Sequence, residues 1–199
     1  ILQKEYGKEF DAIVPVTFND KCEVKNYDLQ ILTNKRPKCY FIGSNFPANS
    51  EGLLWFVKNV LPHVDIDFKV IGKDMDLLKN SETCLKDITV LSNVPDLSQY
   101  FEEADFMIFP LFSGSGMKVK TCEALMYGKN ILGSKESFEG YELDTSSCGK
   151  LCNTVKEYID TIKYFSENPV PRYNVYSRSI FETKYSNAFA LKVFRELFR

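Results

Sequence analysis

Two kinds of apolar pattern alternate along this chain. Cys39 to Gly43, Asp67 to Gly72, Ile88 to Leu91, Phe106 to Phe109, Asn130 to Gly133 and Gly149 to Cys152 are short runs with little polar alternation. Such runs predict strands covered on both faces, as in a parallel sheet. Between them lie segments of helical period: Glu51 to Leu61 stopped by Pro62, Asp76 to Asn80, a helix opened by Pro95 and Asp96 and running to Glu103, one through Lys118 to Met126, and one capped by Thr154 that reaches Glu167. Strands separated by helices imply right-handed crossovers, so the pattern predicts an α/β fold, a doubly wound, Rossmann-like parallel sheet of about six strands.

The two ends read differently. Residues 1 to 11 are polar and helical in character, Asp11 to Thr17 predicts a short strand, and Phe18 opens a helix with Asn19 or Asp20 as cap. Asn34 to Pro37 is a charged turn. Residues 1–36 therefore read as the end of another domain, 37–170 as the main domain, and 171–199 as terminal helices packing back toward the N-terminal segment. The last helix, Ser186 to Phe198, is amphipathic, capped by Ser186 or Asn187, and its apolar face is expected to cover something.

Composition adds limits. With 199 residues, 44% hydrophobic and 26% charged, the chain has material for one good core. A net charge of -2 without basic blocks argues against nucleic acid. No apolar run approaches the ~20 residues needed to span a bilayer, and the N-terminus lacks signal-peptide order, so a soluble, cytoplasmic protein is expected. Ile1 in first place leads us to expect a piece of a longer protein. The six cysteines are scattered without a Cys-x2-Cys pair and there is one His, which predicts reduced, mostly buried thiols and no metal site.

Candidate chemistry gathers in Phe106 to Gly128. Pro110 stops the strand, and Ser113-Gly114-Ser115-Gly116 supplies small residues that let backbone approach a ligand before the next helix begins. Free N–H groups at that helix start favour a phosphate, and Lys118 and Lys120 put positive charge where the helix dipole alone prefers Asp or Glu. An anionic ligand accounts for both; two solvated lysines on an ordinary strand–loop–helix joint is the blander reading. Gly43-Ser44-Asn45, Gly72-Lys73 and Ser92-Asn93 are predicted at the carboxyl ends of neighbouring strands, where doubly wound sheets bind ligands. His63 beside Pro62 reads as a helix-end residue, Trp55 as core, and Cys122 as a small core residue.

These residues resemble a family: retaining glycosyltransferases of the GT-B fold, family 4-like, in their C-terminal nucleotide-sugar-binding half. The run Gly114-Ser-Gly-Met-Lys-Val-Lys-Thr-Cys-Glu-Ala-Leu-Met-Tyr-Gly-Lys129 is similar to the signature G-x-G-x-[RK]-x-K-x-x-E-A-x-x-x-G-[KR], and Glu139-Gly140 to an E-G that follows the next strand. Phe41 to Ser44 with Pro47, Asn49 and Glu51 to Phe56 resembles the first strand, loop and helix of the subgroup carrying N-x-E-G-L-x-W. Glu5 to Asp20 resembles the last strand region of an N-terminal acceptor domain, and the last helix the one that crosses back to it.

The resemblance implies roles. Glu123 would hold the ribose hydroxyls, because a carboxylate is acceptor-only and takes both O–H donors. Lys118, with the N–H groups after Gly116, would face the diphosphate and stabilise the leaving nucleotide, which makes Lys118 and Glu123 the catalytic candidates. Gly43, Ser44, Asn45, Lys73, Ser115, Met117 and Lys120 would complete the donor site, with backbone at Asn93 and Val94 on the base edge. The sequence departs from the family at Ser115, where many relatives carry Glu, and at Ser44, Asn45 and Asn49, where many carry Arg and Lys. The implied function is transfer of a sugar from a UDP- or GDP-sugar to a glycan or lipid-linked acceptor, as in polysaccharide biosynthesis, without cofactor or metal. Its partners would be the nucleotide-sugar donor and a missing N-terminal acceptor domain, with room for peripheral membrane association of the full enzyme. An epimerase of the same fold and a non-catalytic docking module are the alternatives; an epimerase needs acid/base groups near the sugar, and His63 is the one His.

Overall fold

The computed structural model describes Gly7 and residues 12–23, 36–168 and 170–199. Six strands, β1 (Lys38–Ile42), β2 (Asp67–Gly72), β3 (Thr89–Ser92), β4 (Phe106–Phe109), β5 (Asn130–Gly133) and β6 (Gly149–Leu151), form one sheet in the order β3-β2-β1-β4-β5-β6. Every ladder is parallel. The helices are α1 (Pro47–Asn59), α2 (Met75–Ser81), α3 (Ser98–Glu103), α4 (Val119–Met126), α5 (Val155–Glu167), α6 (Val175–Ile180) and α7 (Asn187–Leu197). Among the described residues no helix is long and apolar enough to cross a membrane.

The non-alternating strands have the predicted consequence. In β1, Cys39 and Phe41 face one core with Phe56 and Tyr158, while Tyr40 and Ile42 face a second with Phe101 and Leu125. In β4, Phe106 and Ile108 join the first core and Met107 and Phe109 the second. Both faces of the central strands are thus dry. Sequence order reverses between β1 and β4, so their carboxyl-end loops diverge and leave a crevice at that point.

Local rules explain most element ends. Thr154 and Glu157 form a reciprocal capping box at α5, with Glu157 N–H donating to Thr154 Oγ1 at 3.3 Å and Thr154 N–H to Glu157 Oε2 at 2.9 Å. Thr154→Ala is expected to lower stability by about 1 kcal/mol; a urea midpoint indistinguishable from wild type contradicts this. α1 begins at Pro47, four residues ahead of the expected Glu51, because the missing proline N–H is one the first turn leaves unpaired anyway. It ends at Asn59, and a 3-10 turn over Leu61–His63 takes the last expected residues, with His63 exposed at the helix end as anticipated. α3 starts at Ser98 instead of Pro95, since Asp96 accepts from Ser98 N–H at 3.0 Å and holds the preceding residues in a turn.

Three expectations at the ends are corrected. Residues 12–17 form no strand; a single bridge joins Phe18 to Ser186. Residues 18–23 form no helix, and Asp20 accepts from Arg178 Nη1 at 2.9 Å instead of capping one. The apolar face of α7 covers little: Ser186 caps the helix and Ala190 is buried, but Leu191, Phe194, Leu197 and Phe198 are exposed. The predicted helical stretch 1 to 11, apart from Gly7, and residues 34 and 35 of the turn at 34 to 37 lie outside the described residues.

Candidate functional site

A cleft of about 840 Å³ opens at the β1/β4 crevice. Its first wall is the end of β1, with Gly43 and Ser44, and Asn49 in the opening turn of α1. Facing it is the loop after β4. Gly114 at φ 122° and Gly116 at φ 67° let this loop fold back on itself where side-chain-bearing residues are strained. Ser115 and Met117 line the cleft from the loop, Lys118, Lys120 and Glu123 line it from the start of α4, and Lys73 closes it beyond β2.

The structure therefore gathers eight of the residues expected from sequence, and Gly116 lies within the loop between two of them. Three others stand apart. Asn45 donates its N–H to Lys73 O at 2.9 Å and accepts from Ser50 Oγ at 2.8 Å, which knits the two loops together outside the cleft lining. Asn93, at φ 54°, commits its N–H to Gly72 O at 3.2 Å and its side-chain oxygen to Asp74 N–H at 3.2 Å, so neither is directed to a base. Val94 borders a separate cavity of about 250 Å³ shared with Lys21, Leu97 and Glu123. Glu123 thus stands between the two spaces.

Electrostatics distinguishes the charged residues. Glu123 is half-buried and its carboxylate makes no hydrogen bond among the described residues; burial raises its pKa, with Lys21 and Lys120 pulling the other way. Lys120 is lowered to about 7, chiefly by burial, with Glu123 opposing and Lys118 adding to the shift. Its ammonium touches Asn49 Oδ1 and lies 4.8 Å from the ring centre of Phe41 and 5.8 Å from that of Phe109. Lys118, whose side chain is only 12% exposed, donates to Gly116 O at 2.6 Å, Glu136 Oε1 at 2.6 Å and Glu139 Oε2 at 3.2 Å.

Neither lysine is a solvated surface residue: Lys118 lines the cleft while its ammonium is held by the carboxylates of Glu136 and Glu139. That ion pair holds Glu136 below the usual carboxylate range. Tyr141 OH donates to Lys118 O at 2.8 Å, fixing the junction of loop and helix from the other side. Glu136 and Glu139 also border a cavity of about 660 Å³ beyond β5. Sequence reasoning missed Glu136, which has no local signature; Glu139 was marked only by its glycine neighbour. Asn49 was placed in a loop, and Pro47 two residues earlier was the signal that it belongs to a helix start.

Trp55 packs edge-on against Phe112 at 4.6 Å and Tyr158 at 5.8 Å, in agreement with a core role. The cysteines form no disulfide among the described residues, and Cys39, Cys122, Cys148 and Cys152 are buried.

The family described as glycosyl transferases, group 1, matches residues 36–168. The chain has no significant sequence match among proteins of curated function. Among solved structures it resembles the pneumococcal O-GlcNAc transferase GtfA in complex with UDP and GlcNAc at TM-score 0.63 and 16% identity, over 98% of this chain and 42% of that one. Sucrose-phosphate synthase from Thermosynechococcus elongatus gives TM-score 0.66 at 14% identity, over 99% and 55%. Anabaena HepE in complex with UDP-glucose gives 0.64 at 11%, over 81% and 48%. The chain spans about half the length of these relatives.

Proposed function

We propose that this chain, which belongs to the glycosyl transferases group 1 family, binds a nucleoside-diphosphate sugar in the cleft between β1 and β4. In this reading it is the donor half of a retaining hexosyltransferase acting on a glycan or lipid-linked acceptor. The observation that carries the reading is Glu123. A half-buried carboxylate with no hydrogen bond among the described residues, beside a glycine-rich loop, is complementary to a group offering paired O–H donors next to phosphate. The vicinal hydroxyls of a ribose are such a group.

Charge grows on the diphosphate as the glycosidic bond breaks, so donors that are already aimed there lower the barrier. The close backbone approach allowed by Gly114 and Gly116 supplies that pre-organisation. The uridine nucleotides bound by GtfA and HepE support UDP over GDP. Transfer also needs an acceptor held in reacting geometry. We assign that part to an acceptor half that residues 1–36 and the exposed apolar face of α7 would meet.

Isothermal titration with UDP, GDP and ADP tests the proposal. Selective heat with UDP is expected, with weaker or no heat from ADP. Absence of heat with all three overturns the reading in favour of a docking module.

A further inference from the structure

The two lysines of the cleft are not equivalent, and hydrogen-bond capacity separates them. An ammonium has three N–H donors. Lys118 places its own on Gly116 O, Glu136 Oε1 and Glu139 Oε2, two of them negatively charged partners. No N–H is left for a ligand, and the local charge around Lys118 is already offset. Lys120 is the opposite case. Its one side-chain hydrogen bond among the described residues goes to the neutral Asn49 Oδ1, and no carboxylate of those residues lies within ion-pair distance. The remaining N–H groups have only the rings of Phe41 and Phe109 nearby.

Position points the same way. A Cβ on Gly43 would stand 2.7 Å from Lys120 Nζ, so the ammonium reaches across from α4 to the backbone at the end of β1, in the middle of the crevice. Asn49 holds it there with a side chain whose Nδ2 donates to Ser44 O at 2.9 Å, tying helix, lysine and loop into one unit. Charging a half-buried amine that has no counter-ion costs stability, and a site built this way is complementary to an anion that arrives from outside.

Resting on the donor-site reading above, we propose that the group meeting the diphosphate of a nucleotide donor is Lys120, positioned by Asn49, while Lys118 locks the glycine-rich loop onto the turn after β5. The proposal assigns Asn49 as a positioning residue. It also couples binding to a proton. The charged groups facing Lys120 are Glu123 and Lys118 on its own helix and Lys73 across the cleft; α1, β1 and β4 present only Asn49, Phe41 and Phe109. Burial leaves Lys120 largely neutral at pH 8, and a diphosphate restores its charge by drawing a proton from solvent.

Titrations of UDP and of uridine at pH 8, in buffers of different ionisation enthalpy, read both parts. At that pH the nucleotide's own phosphate, with a second pKa of about 6, is already ionised. Wild type is expected to take up most of one proton with UDP and none with uridine. Lys120→Met is expected to lower UDP affinity about 10- to 150-fold, the range for hydrogen bonds to charged groups, with uridine affinity nearly unchanged and proton uptake abolished. Asn49→Asp gives Lys120 a permanent counter-ion, so it is expected to fold, to bind UDP more weakly and to take up no proton; a purely structural asparagine does not change proton uptake. If wild type binds UDP more tightly than uridine and Lys120→Met keeps that ratio, the inference is wrong while the donor site stands. If wild type binds neither nucleotide, nor GDP, both readings fall together.

Discussion

Phe56→Ala is expected to lower the free energy of unfolding by about 3–5 kcal/mol, the range for deleting a buried aromatic ring. Phe56 is 0% exposed and sits where α1 meets the sheet. Its ring packs 5.1 Å from Phe68 on β2 and 5.7 Å from Tyr158 on α5. Those partners come from two elements, β2 and α5, that cannot both move inward, so the vacated space stays largely a cavity. A loss of that size is a large share of the stability of an ordinary domain. Because α1 carries Asn49 in its first turn, nucleotide binding should fail at lower temperature in this variant while the affinity at low temperature is kept. Urea unfolding with an unchanged slope and a lower midpoint is the expected result. A midpoint shift equivalent to less than about 1 kcal/mol is outside the range for a filled site and indicates that the ring is not packed as described.

Glu123→Ala is expected to weaken UDP binding by about 1.5–3 kcal/mol, roughly 10- to 150-fold, without unfolding the chain. Uridine should lose as much as UDP, since in the proposed site the carboxylate would meet the sugar of the nucleoside and not its phosphates. 2′,3′-Dideoxyuridine, lacking both hydroxyls, should bind wild type and variant alike. Acidification gives an independent handle. Burial raises the pKa of Glu123 above its ordinary 4.5, so the ionised acceptor is lost, and nucleotide affinity falls, at a higher pH than for an exposed glutamate. The same shift means that, in the unliganded chain, burial of Glu123 favours folding most at low pH and loses that contribution as pH rises through the raised value. The variant should remove both dependences. Equal dissociation constants for wild type and Glu123→Ala would take this residue out of the site.

Much of the architecture follows from nearest-neighbour chemistry. Apolar runs without alternation specify strands dry on both faces, and β2, β4 and β5 begin and end where those runs do. Pro110 and the Ser-Gly repeat after it fix the turn, and Thr154 with Glu157 fixes the start of α5, because caps and turns are satisfied by atoms a few residues away. The gathering of Gly43, Lys73, Ser115, Lys118, Lys120 and Glu123 was likewise legible, since parallel topology brings the carboxyl ends of β1, β2 and β4 to one edge.

What each charged residue does there was not legible. Lys118 and Lys120 stand two apart in sequence and look alike, yet helical geometry turns them to different neighbours: one to Glu136 and Glu139 from the turn after β5, the other to Asn49 from the opposite wall. Residues 12–17 carry a strand-like pattern but join no strand among the described residues; the bridge nearby is at Phe18, to Ser186. Sequence by itself determined most of the elements and their order, set by interactions over a few residues. Tertiary structure alone decided which ammonium is paired with carboxylates and which meets a neutral asparagine, because a counter-ion 18 or 21 residues away is chosen by packing and not by local pattern.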